Sequence, residues 1–187
     1  MANKVKYGLS QVHIAFVKDG GWDTPIHIPG AVNIAIDPAG DSSDFYGDNG
    51  PYFVQVKNNG YTGTLEVALF PDEVLAEMLG WYKDENGAYI EDADGTPKRF
   101  ALSCQVEGDE AARRIVWYEC EVARPSTSAQ TTEASITPQT DTVDITIIPR
   151  HFSKIDANVV RAWCYKGQEP YSTWFEKVFE PGSEAVD

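Results

Sequence analysis

Positive charge is scarce in this sequence. Lysine and arginine number 15 against 29 aspartates and glutamates, a net charge of −14. Nucleic-acid binding by counterion release needs a basic surface, so that balance speaks against it. Cysteine is sparse as well. Cys104, Cys120 and Cys164 are odd in number and far apart, which argues against a disulfide framework or a C-x-x-C zinc site and leaves reduced core thiols. No apolar run approaches the ~20 residues of a membrane span. The opening MANKVKYGLS has charges without an apolar stretch behind it, so no secretory leader and no membrane partner are expected. Catalytic signatures are missing too: there is no G-x-S-x-G, H-E-x-x-H, P-loop or dinucleotide fingerprint. The three histidines, His13, His27 and His151, are scattered along strand-like stretches, and no nucleophile–base pair is visible. An enzyme is therefore not expected, and neither is a cofactor.

What is present is apolar and aromatic material in short alternating runs. Hydrophobic residues make up 42% of the 187, with 5 Trp, 9 Tyr and 8 Phe, enough for one domain with a core of its own. Period-two alternation recurs at Val12, Ile14 and Phe16, then at Val32, Ile34 and Ile36, so the chain reads as mainly β. Tyr52 to Val56 leads to Asn59-Gly60, a hairpin-type dipeptide. Tyr61, Gly63, Leu65, Val67 and Leu69 follow on one face, with Thr62, Thr64 and Glu66 on the other.

The period then changes. In PDEVLAEMLG, Pro71 suits the first helical position, Asp72 and Glu73 the positive end, and Gly80 the stop. Val74 with Met78, and Leu75 with Leu79, stack on one face of a short amphipathic helix that packs on a sheet. The turn-rich KDENGAYIEDADGTPKR predicts a small hairpin or loop. Phe100, Leu102, Cys104 and Val106 alternate into the turn at 108–111, and Val116, Tyr118, Cys120 and Val122 alternate on the way back. That pairing puts Cys104 opposite Val116, with both thiols buried and apart. Residues 123–141 shift to Ser, Thr, Gln and Pro and read as a loop with a weak strand at Thr131–Ile136. Val143, Ile145 and Ile147 and then Val159–Tyr165 are further strands. YSTWFEKVFEP predicts a second helix, with capping-box spacing at Thr173 and Glu176. No internal repeat is found.

The longest interruption is acidic. After Ile34-Ala35-Ile36, residues 37–51 hold Asp37, Asp41, Asp44 and Asp48 with one Phe45-Tyr46 pair. A loop of this length is functional or disordered, and aromatics inside it suit a segment that docks. An EF-hand fails on spacing: in EDADG its ends would fall on Ile90 and Ala101, and the acidic arm matches no such template, which leaves only a weak calcium site of another kind as an alternative. Trp117, Trp163 and Trp174 read as core or interface packing rather than as a sugar platform, and Trp22 and Trp81 sit beside turns.

These stretches in this order resemble a known family. MANKVKYGLSQVHIA, IPGAVNIAIDPAGDSSDFYGDNGPYF, NNGYTGTLEVALFPDEVLAEMLG, ECEVARPS and WFEKVFEP together look like the major tail protein, or tail tube protein, of long-tailed non-contractile bacteriophages of Gram-positive hosts. The resemblance implies two packed β-sheets, a sandwich or partial barrel, with a flanking helix and a long extended loop. It implies a virion structural protein, made in the host cytoplasm, whose hexameric rings stack into the conduit for DNA ejection. The implied partners are other copies of the chain, with tape measure, distal tail and tail terminator proteins. DNA passes without specific binding. No additional C-terminal immunoglobulin-like domain is expected. If each subunit of such a ring gives four strands, roughly 24 strands about 4.8 Å apart make a circumference of roughly 115 Å and a backbone diameter of roughly 37 Å. Under this resemblance Asp37, Asp41, Asp44, Phe45, Tyr46 and Asp48, with Tyr52 and Phe53 on the following strand, are the expected subunit or ring contacts. Met1 to Gly8 are a second candidate. The competing expectation is a β-sandwich module that binds carbohydrate or calcium through its acidic loops.

Overall fold

A computed structural model of the chain describes residues 3–40, 42–47, 50–56, 58–127, 129, 131 and 138–182, with backbone alone over 42–47 and 50–56. It is mainly β: a nine-stranded antiparallel sheet, three two-stranded sheets and one α-helix. The first strand, β1 (Lys6–Lys18), is followed by the short β2 (Gly21–Trp22) and β3 (Ile26–Ile28), both of which pair back onto it. Next come β4 (Ala31–Pro38), β5 (Ser42–Gly47), β6 (Gly50–Val56) and β7 (Tyr61–Val67). Helix α1 (Asp72–Leu79) and the small hairpin β8 (Tyr82–Lys83) with β9 (Tyr89–Ile90) lead to the long pair β10 (Phe100–Gly108) and β11 (Arg113–Val122). The chain ends through β12 (Asp141–Ile148), β13 (Arg150–Phe152), β14 (Ala157–Val159) and β15 (Arg161–Tyr165).

The main sheet runs β2-β1-β10-β11-β12-β7-β4 and branches at β11, whose first half pairs with β15 and whose second half pairs with β12. It folds over one core, so that β4 at its far end approaches β1 without pairing to it. Val12, Ile14, Leu65, Val67, Leu102, Ile145 and Ile147 fill that core, all at most 2% exposed. Their period-two spacing is what turns one strand face inward. Helix α1 adds Val74, Met78 and Leu79 from one side. It starts one residue later than the proline suggests, because Pro71 occupies the cap position with extended backbone and its carbonyl accepts from Val74 and Leu75. Gly80 ends the helix in the left-handed region at φ 73°, where a Cβ would sit 2.5 Å from the Thr96 carbonyl oxygen.

A second core lies on the other face of β10, β11 and β15. Val116, Tyr118, Phe152, Cys164 and Trp174 are buried there. This corrects the expected single face of β11. Leu102 pairs with Trp117 and Phe100 with Cys120, so Tyr118 and Glu119 together oppose Ala101. That extra residue is a β-bulge, and it reverses which face the alternation addresses. Trp117 and Cys120 therefore share the main core while Val116 and Tyr118 face the second one. Cys104 lies opposite Ile115, one residue from its expected partner.

Three further expectations are corrected. Asn59-Gly60 is no hairpin turn: β6 does not pair with β7, and Gly60, at φ 101°, lies where a Cβ would stand 1.9 Å from the Ile147 carbonyl oxygen. The close approach of β12 requires glycine there. Leu69 falls beyond β7 and is exposed. The final helix is absent as well. A 3-10 turn at Glu169–Tyr171 is followed by a single turn in which the Thr173 carbonyl accepts from Glu176 and Lys177. Trp174 stacks on Phe179 with ring centroids 5.1 Å apart, a contact between residues five apart that an α-helix would point to different faces. The weak strand expected at Thr131–Ile136 lies, from 132 on, outside the described residues.

Candidate functional site

The acidic segment is strand rather than loop. β4 and β7 pair antiparallel from Ala31 with Val67 to Pro38 with Tyr61. Pairing continues past Pro38, since Ala39 N–H donates to the Gly60 carbonyl and Asn59 N–H to the Ala39 carbonyl, both at 2.9 Å. Beyond it β5 and β6 pair only with each other, from Ser42 with Val56 to Gly47 with Gly50. The described residues between 31 and 67 thus form two successive antiparallel pairs, a ribbon in two parts. Its root is joined to β12 through β7, from Asp141 with Val67 to Ile147 with Tyr61. Its outer part has no strand partner among the described residues.

The expected contact residues distribute along this ribbon. Asp37 is exposed at the end of β4, opposite Thr62. Asp44 pairs with Val54, Phe45 with Phe53, and Tyr46 with Pro51, which leaves Tyr52 at the irregularity between the last two pairs. Asp41 and Asp48 lie outside the described residues.

The N-terminal segment is tied to its own chain. Asn3 Nδ2 donates to the Ala111 carbonyl at 2.6 Å, and its Oδ1 accepts from the backbone N–H groups of Glu110 and Ala111. Asp109 Oδ1 accepts from the Lys4 and Val5 amides, and the Lys4 bond is the main reason its carboxyl is held below the usual range. Val5 and Tyr7 nonetheless stay exposed.

Beside the ribbon root the main sheet is open. A groove of about 320 Å³ is bounded by Tyr7 and Leu9 of β1, Ile34 and Ile36 of β4, and Ile115 and Trp117 of β11, with Lys6, Arg113 and Arg161 on its rim. Trp117 is 4% exposed, and its indole Nε1 has no hydrogen-bond partner among the described residues. Leaving such a donor unsatisfied costs about 1–3 kcal/mol. Arg161 sits 5.1 Å from the Tyr61 ring centroid and 5.3 Å from that of Trp163. Trp163 pairs directly with Ile115 and therefore shares its face, yet it is 50% exposed. Of the two expectations for Trp163, core or interface packing, the core one is corrected: the residue is open on a strand that pairs on one side only among the described residues.

Sequence reasoning missed the histidine pair. β3 returns along β1 with His27 opposite His13, and the rings lie 4.9 Å apart. His13 stacks on Phe175 at 4.4 Å, while Arg114 stacks over Phe175 and Tyr171. Burial lowers the His13 pKa below 6.5, and the neighbouring His27 and Arg114 push the same way against a hydrogen bond to the Gln11 carbonyl. The thiols are packed rather than reactive: burial pushes Cys104 up to about 12 and Cys164 up to about 11. Among the described residues no group of three or more metal-ligating side chains comes together, and no helix is long and apolar enough to cross a membrane. No family model and no curated protein matches the chain.

Proposed function

We propose that this chain is a self-assembling structural subunit, a tail tube protein whose hexameric rings stack into the conduit for phage DNA. The observation that carries the reading is the two-part ribbon. Its root belongs to the sheet, and the strands of its outer part pair with no other strand among the described residues. A single domain gains little by ordering such an extension unless another molecule receives it. Edge strands support the same reading. β4 and β15 each pair on one side only among the described residues, and long open edges invite pairing with another chain unless assembly covers them. A closed ring of subunits covers them all. The net charge of −14 suits a conduit, because an acidic bore repels phosphate and lets DNA slide.

Negative-stain electron microscopy of the purified protein, concentrated and incubated for days, tests the reading. Rings or hollow tubes with a bore wide enough for duplex DNA are the expected result. Monodisperse single subunits at every concentration, with no growth when preformed rings are added as seeds, would contradict it.

A further inference from the structure

We infer that the groove between β1, β11 and the root of β4 is the acceptor for residues 37–51 of a second copy of the chain. The inference rests on the self-assembly reading and names the surface that receives the ribbon.

Charge is the first argument. The groove's rim carries Lys6, Arg113 and Arg161 and no carboxylate, and the depression beside it adds Lys4 and one carboxylate, Glu107. None of these four cations forms a salt bridge with a described residue, although acidic groups outnumber basic ones 29 to 15 in the chain. Segment 37–51 is the complement: four aspartates, no lysine or arginine, and the adjacent Phe45 and Tyr46. Such opposed patches set orientation and speed encounter between copies that otherwise repel.

The floor of the groove is the second argument. Leu9, Ile34, Ile36, Ile115 and Trp117 offer an apolar bed for an aromatic ring. Around the bed Tyr7 is 59% exposed and Trp163 50%, large rings that a docked strand would cover.

The third argument decides whose ribbon fills the groove. Ile34 and Ile36, in the root of this chain's own ribbon, already form one wall. The outer ribbon, β5 with β6, has no further strand partner among the described residues of its own chain. The occupant is therefore another copy.

Inter-copy cross-linking tests this on the full chain. One variant carries Phe45→Cys or, because neighbouring strand residues face opposite ways, Tyr46→Cys. The other carries Trp163→Cys, and the native cysteines are buried. The two are mixed with oxidised glutathione, and sedimentation of the same mixture reads assembly. A disulfide-linked heterodimer is expected from at least one donor. Its yield should fall at least tenfold when Arg113→Glu and Arg161→Glu are placed on the acceptor copy, and should recover when Asp44→Lys and Asp48→Lys are placed on the donor. A neutral acceptor, Arg113→Gln with Arg161→Gln, should give an intermediate yield, which keeps the test valid if the charge-reversed chain misfolds. Assembly without cross-linking, or a yield indifferent to charge, overturns the acceptor and leaves self-assembly standing. Cross-linked pairs without larger assemblies keep the acceptor and remove the tube. Neither assembly nor cross-link overturns both.

Discussion

The two parts of the ribbon share a backbone pattern and differ in everything that stabilises it. In the root, Leu65 and Val67 are wholly buried and β7 is paired on both sides, to β4 and to β12. The outer part has one ladder, shared between β5 and β6, and its Ser, Asp, Gly and Pro are interleaved with Phe, Tyr and Val. Folding free energy in a β-protein comes mainly from apolar burial. The root is thus part of the fold, and the outer part is an attachment whose worth is realised between copies. Substitutions in the two should separate stability from assembly.

Leu65→Ala is the largest expected effect. It removes a fully buried side chain from the main core and should cost about 2–5 kcal/mol of unfolding free energy, read from a urea titration. Assembly would fall with it, as a consequence of lost folded protein. Breaking the comparison would take a Leu65→Ala chain as stable as the parent.

Phe45→Ala with Tyr46→Ala should do the reverse. Unfolding free energy should change by no more than about 0.5 kcal/mol per site, as at surface positions. Tube formation, followed by sedimentation, should disappear. A cooperative loss of stability in this double variant would place the outer ribbon within the fold and erase the distinction.

The smallest effect is a pH dependence at the second core, far in sequence from the ribbon. The folded-state pKa of His13 is depressed, so the unfolded chain takes up its proton first as pH falls through 6.5. The stability that neutral His13 contributes is present above pH 6.5 and is lost below it. Denaturation midpoints should drop between pH 7.5 and 5.5, and the drop should shrink in His13→Gln. An equal slope in both chains would assign the dependence elsewhere.

Much of the main sheet was legible in the sequence because alternation and burial coincide there. Val12, Ile14 and Phe16, and Val143, Ile145 and Ile147, face the main core as their spacing suggests. The helix PDEVLAEML was legible for the same reason, its period matching one buried face. The outer ribbon was legible only on one side: Tyr52 to Val56 carries strand residues, whereas Ser42 to Gly47 holds Ser, Asp and Gly of poor strand propensity, so β5 pairs through its hairpin partner and not from local preference. The bulge in β11 was hidden because Glu119, which lies at it, also fits an uninterrupted alternation of Val116, Tyr118 and Cys120 as its outward polar residue. The groove could not be read at all. It is assembled from β1, β4, β11 and β15, and its cations are scattered over the sequence at Lys6, Arg113 and Arg161.

Sedimentation of the parent chain beside the Phe45→Ala, Tyr46→Ala chain, at one high concentration and with matched urea titrations, tests the account most directly. The predicted result is large hollow assemblies from the parent and a folded, equally stable monomer from the variant. Assemblies of the same size from both would contradict the claim that the ribbon joins the subunits.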